Sequence, residues 1–322
     1  MHILVTGAAG FIGFHLVQHL TKMGHSVVGL DNLNTYYDVK LKLARLQRSE
    51  HLPQYRFQQT DLTDSAAMRQ LFAEERFDLV LHMAAQAGVR YSLENPEAYV
   101  QSNLVGFLEL LECCRHYGKP RLIYASSSSV YGMSDQVPFE EDARTDQPVS
   151  LYAATKKSNE LLAYSYSHLY NLDTTGLRFF TVYGPWGRPD MAMFLFTDAV
   201  MNDRPIKVYT HGNLAGDFTF IDDVVQGIGK MVNSSESGQE NYKIYNIGRS
   251  KPVNLMEFIA AIEESTGKKA ILDHQDMQPG DVERTWADVS KLHTDFDYSP
   301  SISVRDGVRQ FVDWYRNEYL SL

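Results

Sequence analysis

Through the first 180 positions, short runs of β-branched and other apolar residues alternate with longer stretches of helical periodicity. That alternation predicts parallel strands joined by helices that cover a sheet. Ile3-Leu-Val5, Ser26–Leu30 ending at Asp31, Tyr55–Gln59, Leu79–Met83, Arg121–Ala125 and Thr174–Phe180 read as strands. Helices are expected from Phe11 to about Met23, over Pro96–Arg115 and over Leu151–Tyr170. The two later helices carry apolar residues on more than one face, as in Leu104, Phe107, Leu108, Leu110 and Leu111, then Leu161, Leu162, Tyr164 and Tyr166. Such helices are buried on more than the core side, so a homodimer formed by pairing them in a four-helix interface is expected. After Thr181 the texture changes to short strands, turns and Gly or Pro punctuation, as in Tyr183-Gly-Pro-Trp-Gly-Arg-Pro189.

The expected fold is therefore α/β. A doubly wound parallel sheet occupies residues 1–180 and a smaller C-terminal α/β substrate lobe occupies 181–322, with segments near 218–248 returning to the first unit. A chain of 322 residues with 44% hydrophobic and 22% charged content supports a substantial core. The net charge of −10 argues against a nucleic-acid partner, which needs concentrated Lys and Arg. The two cysteines, Cys113 and Cys114, are adjacent and suggest neither a disulfide framework nor a zinc site. A reducing, cytoplasmic location fits that usage. Met1 runs directly into His2-Ile-Leu-Val-Thr6, so no signal peptide is expected. No apolar run is long enough for a membrane span. The eleven histidines form no ligand-like cluster, so no metal is expected.

Chemistry enters with Gly7-Ala-Ala-Gly10-Phe11-Ile12-Gly13, which follows the first strand and opens the first helix. Gly7 permits the tight turn, Gly10 lets backbone approach a pyrophosphate, and Gly13 allows close helix–sheet packing. This is a Rossmann-like dinucleotide site. Asp31, with Asn32 beside it, ends the second strand eighteen residues after Gly13. A carboxylate there accepts hydrogen bonds from the adenosine ribose and repels a 2′-phosphate, which favours NAD over NADP. Asp61 and Leu62 follow the third strand and fit an adenine pocket, although Asp61 reads equally as a helix N-cap.

Tyr152-Ala-Ala-Thr-Lys156 places a phenol and an ammonium one turn apart on a helix face. An adjacent cation makes a phenol a usable base by stabilising the phenolate. Tyr36 and Lys40 show the same spacing but sit in a loop, so position selects Tyr152 and Lys156. Ser126–Ser129 lie at a strand C-terminus, where ligands gather in open α/β sheets.

These features, with Leu81-His-Met-Ala84-Ala85 and Val130-Tyr-Gly132, resemble the extended short-chain dehydrogenase/reductase superfamily over nearly the whole chain. Narrower strings resemble the UDP-glucuronate 4-epimerases: Ala87-Gly-Val-Arg-Tyr-Ser92, Ser126–Gly132, Leu177–Met191 and Gln278-Pro-Gly-Asp-Val282. The resemblance implies that Tyr152 takes the proton of the sugar 4-hydroxyl while nicotinamide takes hydride from carbon 4. Ser127 holds that hydroxyl, and Lys156 tunes Tyr152 and holds the nicotinamide ribose. The 4-keto sugar then turns over and the hydride returns to the opposite face, so UDP-glucuronate and UDP-galacturonate interconvert.

Dehydratase and decarboxylase relatives carry carboxylic acids where this chain has Ser128 and Ser129, which leaves no acid or base for chemistry at carbon 5. Ser128, Ser129, Thr181 and Arg188 are candidates to clamp a substrate carboxylate. Arg188 also reads as a surface loop residue. Arg90 fits either the sugar or a structural ion pair. Relatives usually place an Arg on the UDP diphosphate where this chain has Gly216, so Arg284 is the candidate replacement. Other readings are a 4-epimerase of another nucleotide sugar (a UDP-hexose or an N-acetylated uronate), a dehydratase or decarboxylase, and a non-catalytic NAD-sensing protein on the same fold.

Overall fold

The computed structural model describes residues 1–212, 214–234, 240–276 and 284–322. The string Gln278–Val282 therefore lies outside the described residues. Seven parallel strands form the main sheet: β1 (His2–Thr6), β2 (Ser26–Asp31), β3 (Tyr55–Gln59), β4 (Leu79–His82), β5 (Arg121–Ser127), β6 (Thr174–Phe179) and β7 (Tyr242–Ile247). Their spatial order is β7-β6-β5-β4-β1-β2-β3. The chain winds outward from β1 to β3, returns to the other side of β1 at β4, and winds away again. The winding reverses between β1 and β4, where Thr6 pairs with His82, and a crevice opens beyond those strand ends.

Both faces of the sheet are covered, so successive strand residues enter different cores. Ile3 and Val5 join the cluster that contains Leu16, Val17 and Ile123. Leu4 joins the cluster with Val28, Val80, Phe107 and Leu122. The helices that matter for the site are α1 (Phe11–Lys22), α2 (Val39–Ser49), α3 (Gly106–His116), α4 (Leu151–Tyr170) and α5 (Ile221–Asn233). The last of these packs on α1, and β7 pairs with β6 at the sheet edge. Phe218–Phe220 instead pairs with Thr181–Tyr183 in a separate two-stranded sheet.

The helix expected over Pro96–Arg115 is present without a break from Pro96 to His116, but its hydrogen-bond register changes twice along the way. Pro96–Tyr99 is one α-turn capped by Asn95, Val100–Val105 is a π-helix, and α3 follows. Long-range bonds within the chain brace the π-helix at Asn103. Its side chain bonds Gln86 backbone groups at 2.8 and 3.0 Å and reaches Thr155 Oγ1 at 3.1 Å. The Asn103 carbonyl accepts from Asn159 Nδ2 at 2.6 Å, a bond open to a carbonyl displaced by a π-bulge.

Candidate active site

One cleft of about 430 Å³ runs along the carboxyl ends of the central strands. Its cofactor half is built by backbone approach. Gly7 has φ +72°, and a Cβ there would stand 2.8 Å from Ala84 N. A Cβ on Gly13 would fall 2.1 Å from the Gly7 carbonyl oxygen. Gly10 is the N-cap of α1 without a side-chain cap, so the first N–H groups of the helix are open to an anion. Gly7, Gly10, Phe11, Ile12, Gly13, Asp31, Asn32, Asp61, Leu62, Ala84 and Ala85 all line the cleft. These residues fit a dinucleotide. The Asp31 carboxylate is buried and accepts from Ala9 N at 3.2 Å and Leu33 N at 2.8 Å. Asp61 accepts from Asn32 Nδ2 at 2.7 Å and from the Thr63 backbone and hydroxyl. Burial acts to raise the Asp61 pKa, but those donors together hold it below the usual carboxylate range. The helix that follows is capped by Asp64, through Ala67 N at 3.0 Å, so Asp61 is not its N-cap.

The catalytic half joins the end of β5 to the first turns of α4, whose N-cap is Ser150. All four serines line the cleft, but the Ser126 hydroxyl is committed elsewhere. Ser126 donates to Glu160 Oε1 at 2.7 Å, and Glu160 is held by Arg178 at 2.9 and 3.0 Å. Ser127, Ser128 and Ser129 line the cleft with Tyr152, Lys156 and Thr181. Tyr152 faces the Ser127 hydroxyl, which itself accepts from Ser129 N at 3.2 Å and Ser129 Oγ at 2.8 Å. Burial raises the Tyr152 pKa, while the Ser127 hydroxyl and the charge of Arg188 pull it down. Lys156 donates to the Ala125 carbonyl at 2.7 Å, and burial lowers its pKa to about 7. The cation felt by Tyr152 in this structure is thus Arg188. His82 receives a contact from Thr6 Oγ1 at 2.8 Å, and burial with the Lys156 charge lowers its pKa to about 3. It is neutral near pH 7 and serves as a packed hydrogen-bonding ring.

Arg188 lines the cleft and forms a two-pronged pair with Asp190, at 3.0 Å from Nε and 2.5 Å from Nη2. Asp190 Oδ2 also accepts from Tyr36 OH at 2.9 Å. Arg90 does not line the cleft; its guanidinium lies 4.7 Å from the Tyr209 ring centroid. Arg284 is exposed and outside the cleft lining, although Thr285 beside it belongs to that lining. Arg284 bridges Ala215 and so stands next to Gly216.

Sequence reasoning assigned no site role to several residues in or beside the cleft. Tyr36 and Lys42 line the cleft, and Lys42 Nζ donates to Asn34 O and Oδ1 at 2.8 Å. Arg45 is fully buried and donates to Ala9 O at 2.8 Å, Trp186 O at 2.7 Å and Gly187 O at 3.2 Å. It ties the glycine turn to the loop that carries Arg188. Asp190 stands two residues after Arg188, a signal present in the sequence. Tyr36 lies 154 residues from its partner, and no local pattern points to it.

The family profile described as GDP-mannose 4,6 dehydratase matches residues 4–311. Protein CapI of Staphylococcus aureus is 52% identical, with 99% of each chain covered. The probable UDP-glucuronate 4-epimerase of Rhizobium meliloti is 45% identical, covering 99% of this chain and 98% of the relative. Among solved structures, UDP-glucuronic acid 4-epimerase from Bacillus cereus, in complex with UDP-glucuronic acid and NAD, superposes with a TM-score of 0.92 at 35% identity. That match covers 98% of this chain and 99% of the other. The profile match and the near-complete coverage agree with the glycine cradle and the Tyr152–Ser127 pair, and the chain belongs to the GDP-mannose 4,6 dehydratase-like family of short-chain dehydrogenases/reductases.

Proposed function

We propose that this protein is an NAD-dependent 4-epimerase that interconverts UDP-glucuronate and UDP-galacturonate. The observation that carries the reading is one cleft holding a dinucleotide cradle, the Tyr152–Ser127 pair and Arg188 together. Its relatives from Rhizobium meliloti and Bacillus cereus support the same activity. Bound NAD supplies the acceptor that takes hydride from sugar carbon 4 and later returns it. Tyr152 removes the proton of the 4-hydroxyl, and Ser127 fixes that oxygen against it. Lys156, one helical turn from Tyr152 and with its pKa lowered by burial to about 7, is assigned to the nicotinamide ribose and to tuning Tyr152 once the cofactor is bound. Ser128 and Ser129 offer hydroxyls where a dehydratase would need carboxylic acids, so the ring is left intact at carbon 5.

A 4-keto uronate is a β-keto acid and loses carbon dioxide when the breaking bond aligns with the carbonyl. Arg188, with Ser128, Ser129 and Thr181, holds the carboxylate away from that alignment. Arg284, set beside Gly216, is the cation we assign to the diphosphate, and Arg90 is left at the rim. The dinucleotide unit over 1–180, completed by segments near 218–248, and the substrate lobe over 181–322 belong to the same proposal, as do a cytoplasmic location and a homodimer.

Proton NMR of UDP-glucuronate mixed with the purified protein tests the reading. UDP-galacturonate signals should grow without added NAD. Tyr152→Phe should slow that conversion by ~10²–10⁴ while the protein keeps its nicotinamide. No conversion by the wild type would refute the proposal.

A further inference from the structure

We propose that Asp190, braced by Tyr36, is a positioning residue that aims Arg188 at the sugar carboxylate and so selects a hexuronate over a hexose. The inference rests on the epimerase reading above and deepens it. Arg188 sits on a loop, and an unpaired loop guanidinium has wide rotamer freedom. Here it is fixed twice over. Arg45 holds the backbone just before it, at the Trp186 and Gly187 carbonyls. Asp190 holds the head group through Nε and Nη2, and among the described residues no hydrogen bond is made by Nη1. A guanidinium carries five N–H donors in one plane, so one edge is committed and another remains for a ligand.

Tyr36 sets the far side of the fork. Its hydroxyl donates to Asp190 Oδ2 at 2.9 Å, and its ring centroid lies 5.9 Å from the Arg188 guanidinium carbon. Burial and the Asp190 charge push the Tyr36 pKa up to about 12, so the phenol keeps its donor proton at any working pH. Gly88, at φ +107°, packs against the group. A Cβ there would meet Tyr36 OH at 3.1 Å, Tyr99 OH at 3.6 Å and Arg188 Nη2 at 3.7 Å. Three chain segments, from the loops after β2, after β4 and after Tyr183, thus converge on one guanidinium.

The pairing also decides which anion the cation serves. A mobile arginine in this cleft would reach toward the dinucleotide or diphosphate phosphates as readily as toward the sugar. Asp190 pins it beside Tyr152, whose pKa it lowers. A carboxylate at sugar carbon 5 can take a donor from the uncommitted edge with charge assistance. A hydroxymethyl group gives a weaker bond at the same desolvation cost, and the difference is selectivity.

The test measures calorimetric affinities of the NAD-loaded protein for UDP-glucuronate and UDP-glucose, in wild type, Asp190→Asn and Tyr36→Phe. Asn keeps the volume of Asp but brings an N–H against the guanidinium. We expect Asp190→Asn to weaken UDP-glucuronate about tenfold or more, the loss of a charge-assisted contact, with UDP-glucose changed less than about twofold. Tyr36→Phe should shift the same ratio in the same direction by a smaller factor, and it covers the case of poor folding in the Asn variant. A merely structural role would weaken both ligands alike. An unchanged ratio in a folded variant, or equal losses for both ligands, overturns the inference. Failure of the wild type to convert UDP-glucuronate would instead overturn the epimerase reading, so the two failures are distinct.

Discussion

Lys156 is buried to 2% exposure with one backbone acceptor, and that environment penalises its charge. Its folded pKa is about 7 against an ordinary value of 10.5. Between those values the unfolded chain binds a proton that the folded chain does not, so stability rises with pH across this window. Below pH 7 both states are protonated and the full penalty remains. Lys156→Met removes it. In protein freed of dinucleotide, the Met variant should therefore be more stable than wild type at pH 7, by a few kcal/mol. The advantage should shrink as pH approaches 10. Denaturant titrations at several pH values measure this, and a pH-independent difference would show that burial is not the source of the shift. Turnover should fall in the same variant, because stability gained at a functional site is commonly lost from function.

Among the helices and strands, α2 is the element that the chain announces least. Strands β1, β2, β4, β5 and β6 were legible from short, punctuated runs rich in apolar or β-branched residues, and β3 from the alternation in Tyr55-Arg-Phe-Gln-Gln59. No comparable signal marked Val39–Ser49. Its buried residues are Leu41, Lys42, Arg45 and Ser49, so the inward face is mostly polar and the usual apolar stripe is missing. The glycine cradle, Asp31 and Tyr152–Lys156 could be found from spacing, since each is local in the chain. Asp190–Tyr36 and the carbonyls gathered by Arg45 join segments more than a hundred residues apart, beyond any local pattern. The π-helix at Val100–Val105 was hidden likewise, because the groups that brace it lie in Gln86, Thr155 and Asn159. The position of Gly216 adds a constraint: a Cβ there would come 2.9 Å from Phe218 Cε2, and Phe218 stacks on Phe258 at 4.3 Å. An arginine at 216 would have to displace that stack. Arg45→Met offers the sharper experiment. It strands the Ala9, Trp186 and Gly187 carbonyls, each worth about 1–3 kcal/mol when left unsatisfied. We expect a lower melting temperature together with less nicotinamide in the purified protein. Full nicotinamide content with a lowered melting temperature would separate Arg45 from the cofactor turn.

Helices α3 and α4 bear on how complete molecules associate. Phe107, Leu110 and Leu111 turn inward and are fully buried. Other apolar residues expected to pair helices face outward: Leu161 is 58% exposed, Tyr164 55% and Leu108 40%. Leu169, at 65%, adds to the outer surface of α4, and Val100 and Val105 of the π-helix are also exposed. Leu161, Tyr164 and Leu169 follow helical spacing, so they share one side of α4. An apolar surface of this kind on two neighbouring helices fits a two-fold contact, in which each patch meets its own copy. Static light scattering at micromolar concentration should then give twice the chain mass. Leu161→Glu combined with Leu108→Glu places like charges across such an axis and should return the mass to one chain. The catalytic cleft is built from a single chain, so this variant should keep its nicotinamide and its helical spectrum. A wild-type protein that already scatters as one chain would dismiss the helical interface.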